Sequence, residues 1–432
     1  MKRIATILLS CLLLISMAAC GGGTGEVEQT NDSLKIQVSP IHYSNYSSIF
    51  DAYQKAYPDV KPDIEMLPDD TIESQKALAA AIMADDGPDL LFLGGLSLEN
   101  LEKQIQSGAF YPLNEFMEGE DFHKEKYQQA VLEGGAVDGN QYVVPVDYLP
   151  SVVLSSEEAL AEVNYDFEKA KTLDGMMSEL DRISKEHPER QPNFGIAVWD
   201  GYPYYTGQSL YDYKKGKVLL DTPEMKQLAG YFCSLYPYDL DMNLYMEQTS
   251  NTQGDGGIQV LSGTSWTGGT MNMADLIAGA SVINGEQTPV VLPIPTMDGK
   301  FNARSQMALG VLAGSHNRQN AWNMIACALS QEVQDRIPVG MPVRLASIDA
   351  VLGEASQKYG SGTLLDYTLN PVGEEFLSSY RSICENVGNV YFGDNLTASL
   401  TEQYLLPYFK GEKSYEECMQ EFITAAEIVL SE

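Results

Sequence analysis

The stretch Asp86-Gly87-Pro88-Asp89-Leu90-Leu91-Phe92-Leu93 decides the fold. Gly-Pro ends a helix, and four consecutive apolar residues then make a strand without a polar face, as in a sheet buried on both sides. Upstream, residues 71–84 carry a helical pattern, and a strand near Ile64 to Leu67 precedes them. Farther back, Ile49, Phe50, Tyr53, Ala56 and Tyr57 recur at helical spacing up to Pro58, after the short apolar strand Leu34 to Val38. Downstream, Leu98 to Ser107 is a helix closed by Gly108. Strand and helix alternate three times, which argues for an α/β fold with a mainly parallel sheet flanked by helices.

The pattern then changes. Asp138-Gly139 between apolar runs marks a hairpin, and strands Val143 to Val146 and Val152 to Leu154 flank Asp147-Tyr148-Leu149-Pro150, where the chain is expected to cross to a second domain. That domain is predicted to hold a helix near Asp174 to Lys185, a strand Phe194 to Val198, and a helix capped by Thr222 with Pro223 in its first turn. Strands Val290 to Pro295 and Met307 to Ala313 surround the Asp298-Gly299 turn. A helix with Ala321, Met324, Ile325, Ala328 and Leu329 on one face follows, and Ser414 with Glu417 forms the capping box of the last helix.

The chain has 432 residues, 44% of them hydrophobic, which supports a large core and two domains. Its N-terminus reads as an export signal. Lys2 and Arg3 precede the apolar run Ile4 to Ile15, too short for the roughly 20 residues of a spanning helix. Ser16-Met17-Ala18-Ala19-Cys20 resembles a bacterial lipobox, with Met17 where Leu is commoner, which implies cleavage after Ala19 and two acyl chains anchored through Cys20. Residues 21–33 are too polar to bury anything and are expected to act as a flexible tether. Losing Lys2 and Arg3 leaves 25 basic residues against 60 acidic ones, a net charge near −35 that makes nucleic acid and anionic lipid poor partners. Cys233, Cys327, Cys384 and Cys418 show no CxxC spacing and read as buried thiols, with a Cys384–Cys418 bridge as the alternative.

Several stretches, in order, resemble the large sugar-binding class (family 1) of bacterial extracellular solute-binding proteins that serve ABC importers. They are Phe50 to Val60, Asp86 to Leu93, Leu101 to Leu113, Asn320-Ala321-Trp322 with Leu329 to Gln334, Gly340-Met341-Pro342-Val343-Arg344, and Tyr408-Phe409-Lys410-Gly411 with Ser414 to Glu417. The family usually has a Gly-Lys-Ala-Ala-Met-like strand where this chain reads Gly257 to Trp266. The resemblance implies a two-lobed periplasmic-binding-protein-like fold with a hinge, residues 34–146 and 295–340 forming one lobe and 147–294 and 341–432 the other. It implies a monomeric, lipid-anchored substrate-binding subunit on the outer face of the membrane, capturing a sugar or oligosaccharide by lobe closure for ABC permease subunits. Peptides and other small polar solutes are alternatives, as are a surface enzyme acting on glycans and an adhesion module.

Ligand contacts are expected at strand ends facing the cleft, where loops mix aromatic rings with hydrogen-bonding groups. The first loop holds His42, Tyr43, Asn45 and Tyr46, and the second Gly94 and Gly95. Asp147 and Tyr148 lie at the crossing. The second lobe offers Trp199, Asp200, Tyr202 and Trp266, the last an indole among Gly, Ser and Thr. Arg344 is a further candidate, with a structural ion pair as its other reading, whereas Trp322 keeps helical spacing and reads as core. Catalytic signatures fail. Gly263-Thr264-Ser265-Trp266-Thr267 lacks the second glycine of a nucleophile elbow, the four histidines show no metal spacing, and no GxxxxGK loop occurs. No catalytic residue, metal or cofactor is implied.

Overall fold

The computed structural model describes residues 32–431 except 69–70, 85–86, 95–100, 120, 188–201, 208, 236–266, 365–366 and 394. The signal, Cys20, nearly all of the tether and the strand expected at Phe194 to Val198 lie outside the described residues.

The opening strands form as their apolar runs predict. β1 (Ser33–Val38) pairs in parallel with β2 (Lys61–Met66) on one side and β3 (Leu90–Gly94) on the other. Successive side chains point to opposite faces. Leu90 and Phe92 therefore join one core with Ile36, Val38 and the helix Ser47–Ala56, while Leu91 and Leu93 join another with Leu78 of the helix Thr71–Met83. Asp138 and Gly139, both with positive φ (51° and 80°), make the predicted turn between β4 (Ala136–Val137) and β5 (Asn140–Gln141).

β6 (Val143–Ser156) is buried along all 14 residues. The second half of the chain adds the hairpin of β7 (Tyr211–Asp212) and β8 (Lys217–Val218), then β9 (Thr267–Thr270), β10 (Pro289–Pro293) and β11 (Phe301–Val311). β12 (Met341–Pro342), the hairpin of β13 (Gly362–Leu364) and β14 (Tyr367–Leu369), and β15 (Val387–Tyr391) complete the strands. One nine-stranded sheet runs β10-β6-β11-β3-β1-β2, with β9 and β12 also on β6 and β15 in parallel on β11. The two short strands expected around Asp147 to Pro150 are thus one continuous strand, because each half finds a partner in the same sheet. Residues 143–148 pair with β11 and residues 152–156 with β10. Pro150, which has no N–H to offer, falls in the gap between those ladders.

The second body packs around Leu173, Leu180, Phe232 and Phe422. Its helices start where their caps predict: the Thr222 hydroxyl accepts from Met225 N at 3.1 Å, and Ser414 and Glu417 cap each other reciprocally at 3.0 and 3.3 Å. The helices Met273–Ile283, Ile348–Lys358 and Glu374–Glu385 bury their apolar faces in the same cluster as β1 and β3, which continues through Val152 and Leu154 of the crossing strand. All four described cysteines are free thiols, and Cys384 and Cys418 sit in different cores. Trp322 is core as expected, stacked on Phe116 at 5.3 Å.

Candidate functional site

The C-terminal ends of β1 and β3 meet the crossing strand. Ser39 caps the short helix Pro40–Asn45 and holds His42 Nδ1 at 2.6 Å, which turns the imidazole across the end of β3. A Cβ at Gly94 would lie only 2.1 Å from that ring, so glycine is needed here by His42. The sequence offers Gly94 as a ligand contact at a strand end. In the structure His42 fills the space, and burial lowers its pKa, favouring the neutral ring.

Tyr46 and Asp147 form the centre of the junction. Asp147 is fully buried and Tyr46 is 1% exposed, and the phenol donates to Asp147 Oδ2 at 2.5 Å. Met307 N of β11 donates to Oδ1 at 2.9 Å, and Gly340 N, just before β12, donates to Oδ2 at 3.3 Å. One carboxylate therefore gathers the first helices, the two long strands and the segment entering β12. Burial pushes its carboxyl up to about 6, against the opposing pull of these donors. Tyr148, also fully buried, donates its hydroxyl to Cys384 O at 3.1 Å. Three residues expected to touch ligand thus have their polar atoms committed to protein partners.

The other candidates divide. Asn45 is exposed, whereas the Tyr43 ring packs 4.9 Å from Phe50 at the edge of the core. Tyr202 opens the 3-10 turn Tyr202–Thr206. Gly95, Trp199, Asp200 and Trp266 lie outside the described residues. Arg344 has no carboxylate partner among the described residues, so the ion-pair reading gives way to a stacked one. Its guanidinium lies 5.7 Å over the Tyr127 ring, and its backbone N–H donates to Gln334 Oε1 at 3.0 Å. Gln334 in turn donates to Val146 O at 3.0 Å, a fully buried link that no spacing in the sequence announced. Among the described residues no cluster of His, Cys, Asp or Glu is placed to hold a metal, and no helix is long and apolar enough to cross a membrane.

The sequence pattern described as "Bacterial extracellular solute-binding protein" matches residues 39–335, more than half of the chain. The chain belongs to this family. Membership makes it a solute-binding protein of the extracytoplasmic space. A maltotriose-binding protein of Pyrococcus abyssi (strain GE5 / Orsay) is 23% identical over 322 residues, an alignment spanning 71% of this chain and 63% of that relative's length. The sugar-binding protein MalE of Xanthomonas citri has a similar fold, with a TM-score of 0.66 at 13% identity over 92% of this chain and 97% of that one. The cyclic alpha-maltosyl-1,6-maltose binding protein of Arthrobacter globiformis gives a TM-score of 0.60 at 15% identity over 92% and 98%. The family's α/β fold, with helices on both faces of a central sheet, is the one described above.

Proposed function

We propose that this chain is the substrate-binding subunit of an ABC importer and captures a sugar or oligosaccharide between its lobes. Family membership carries the reading. A maltotriose-binding relative and neighbours named for sugar binding support the ligand class, and the run of β6 from one packed core to the other supplies the joint that closure needs. The division into lobes 34–146 plus 295–340 and 147–294 plus 341–432 belongs to this reading. Tyr43, Asn45, Gly95, Trp199, Asp200, Tyr202 and Trp266 are the candidate ligand contacts, Gly94 serves to seat His42, and Asp147, Tyr46, Tyr148 and Arg344 act by holding the joint in register. The chain breaks no bond itself. It works as a monomer, tethered by lipid on Cys20 to the outer face of the membrane, and hands its solute to permease subunits that partner it there.

Thermal unfolding of the mature chain against a panel of sugars, peptides and other polar solutes tests this. A sugar present at 100 times its dissociation constant should add about 2.7 kcal/mol of stability. A stabilising peptide with inert sugars would overturn the ligand class, and no stabilising solute at all would overturn the function.

A further inference from the structure

The two bodies also face each other behind the joint. A cavity of about 440 Å³ opens beside Ile105, which packs on the sheet face carrying Leu91 and Leu93, the face opposite the one where Phe92 joins the core that holds Tyr46. The helix Leu101–Gln106 and the β4–β5 hairpin form one wall, the turn Tyr202–Thr206 with β7 forms the other, and the end of β15 closes the space. Tyr204 and Tyr391 stack at 4.2 Å and 11°, joining that turn to β15, and Lys214 Nζ reaches across the rim to Asp138 Oδ2 at 2.5 Å.

The polar character of this cavity is one-sided. Its described lining holds two carboxylates, Glu102 and Asp138, and no Lys, Arg or His. Asp138 has Lys214, whereas among the described residues Glu102 accepts only a neutral amide bond from Gln106 at 3.2 Å. Burial raises the Glu102 pKa, with the Gln106 bond opposing and the nearby Asp138 charge adding to the rise.

We propose that this rear cavity is a second binding site, for a small organic cation carrying a primary amine. The ammonium sits between Glu102 and Asp138, and its carbon chain lies along Tyr204, Tyr211 and Phe392. A partly desolvated carboxylate with no counter-charge is relieved by a cation and only weakly by a neutral hydroxyl, and aromatic faces attract cations further. The cavity lies on the Leu91 and Leu93 side of the sheet and Tyr43 and Tyr46 on the Phe92 side, so a rotation about β6 that narrows one side widens the other. Rear occupancy is therefore linked to solute affinity, a consequence that rests on the proposed solute-binding function, whereas amine binding does not.

Calorimetric titration of the mature chain with spermidine in about 0.15 M salt, which screens diffuse attraction to an acidic surface, tests the site. Saturable one-site binding is expected, weakened about tenfold by Glu102→Gln or Asp138→Asn, the loss of one charge-assisted bond. Glu354→Gln, an exposed acid on another helix, should leave it unchanged. Absence of saturable binding overturns the proposal. So does equal weakening by Glu354→Gln, which would reveal attraction to net charge alone. With spermidine saturating, the affinity of whichever sugar binds should shift, and spermidine affinity should shift by the same factor when that sugar saturates. An unchanged sugar affinity overturns the linkage. Spermidine binding that Glu102→Gln weakens, in a protein that binds no sugar, would overturn the sugar ligand class and leave the amine site standing.

Discussion

Asp147 is the residue on which the joint depends. A buried carboxylate is tolerated when donors surround it, and removing one donor leaves the charge partly unpaired. Tyr46→Phe should therefore cost about 2 kcal/mol at pH 7.5. The sign of its pH dependence follows from the carboxyl being held at about 6, above its ordinary 3.8. The native state keeps this proton longer than the unfolded chain, so the group favours folding most below about 4 and loses that contribution as pH rises through 6. At pH 4.5 the carboxyl is mainly protonated and the lost phenol matters less. Urea midpoints of both proteins at pH 4.5 and 7.5 measure this, and an equal cost at both values would remove Asp147 as the cause.

At the scale of the element, the helix Leu173–Glu186 is held by an ion network as well as by its apolar face. Glu179, its side chain only 4% exposed, bonds Lys169 at 3.0 Å and Arg182 at 2.8 Å. Burial alone would raise its pKa, but these cations and the Asp166 N–H outweigh it and hold the carboxyl at about 2. Here the sign is reversed. The stability is present above about 4.5 and is lost as pH falls toward 2. Glu179→Gln should cost about 2 kcal/mol at neutral pH, and its unfolding free energy should fall less than that of the natural protein between pH 5 and 3. Parallel acid-dependent losses would contradict the network.

Elements were the most legible level of the sequence. Unbroken apolar runs marked β3 and its neighbours, helical spacing marked the buried face around Trp322, and reciprocal side chains marked the Ser414 cap, all set within a few residues of one another. The single residue was read less well. Tyr46, Tyr148 and Arg344 carry the same groups whether they face a ligand or a neighbour, and their partners stand tens to hundreds of positions away. The His42–Gly94 contact is of the same kind, since a strand-ending glycine serves equally well to admit a ligand or an imidazole.

For the whole molecule, the lipid anchor proposed at Cys20 ties location to function. In the proposed importer role, a tether would hold the receptor beside its permease and raise its effective concentration there. Changing Cys20 to Ala should move the protein from the membrane fraction to the soluble fraction while the mature domain keeps its sugar affinity. Retention at the membrane would show that something other than lipid on Cys20 holds it.

Local order alone determined the α/β class, the crossing near Asp147 and the caps, because each depends on residues that are neighbours in sequence, and composition alone determined the acidic character of the chain. Only the tertiary structure decided that one 14-residue strand serves both bodies, that Asp147 is bound by three distant donors, and that an acidic, aromatic cavity lies behind the joint. Those features arise from groups that folding alone brings together, and a buried charge or a carboxylate whose neighbours supply no counter-charge is recognised only once its surroundings are known.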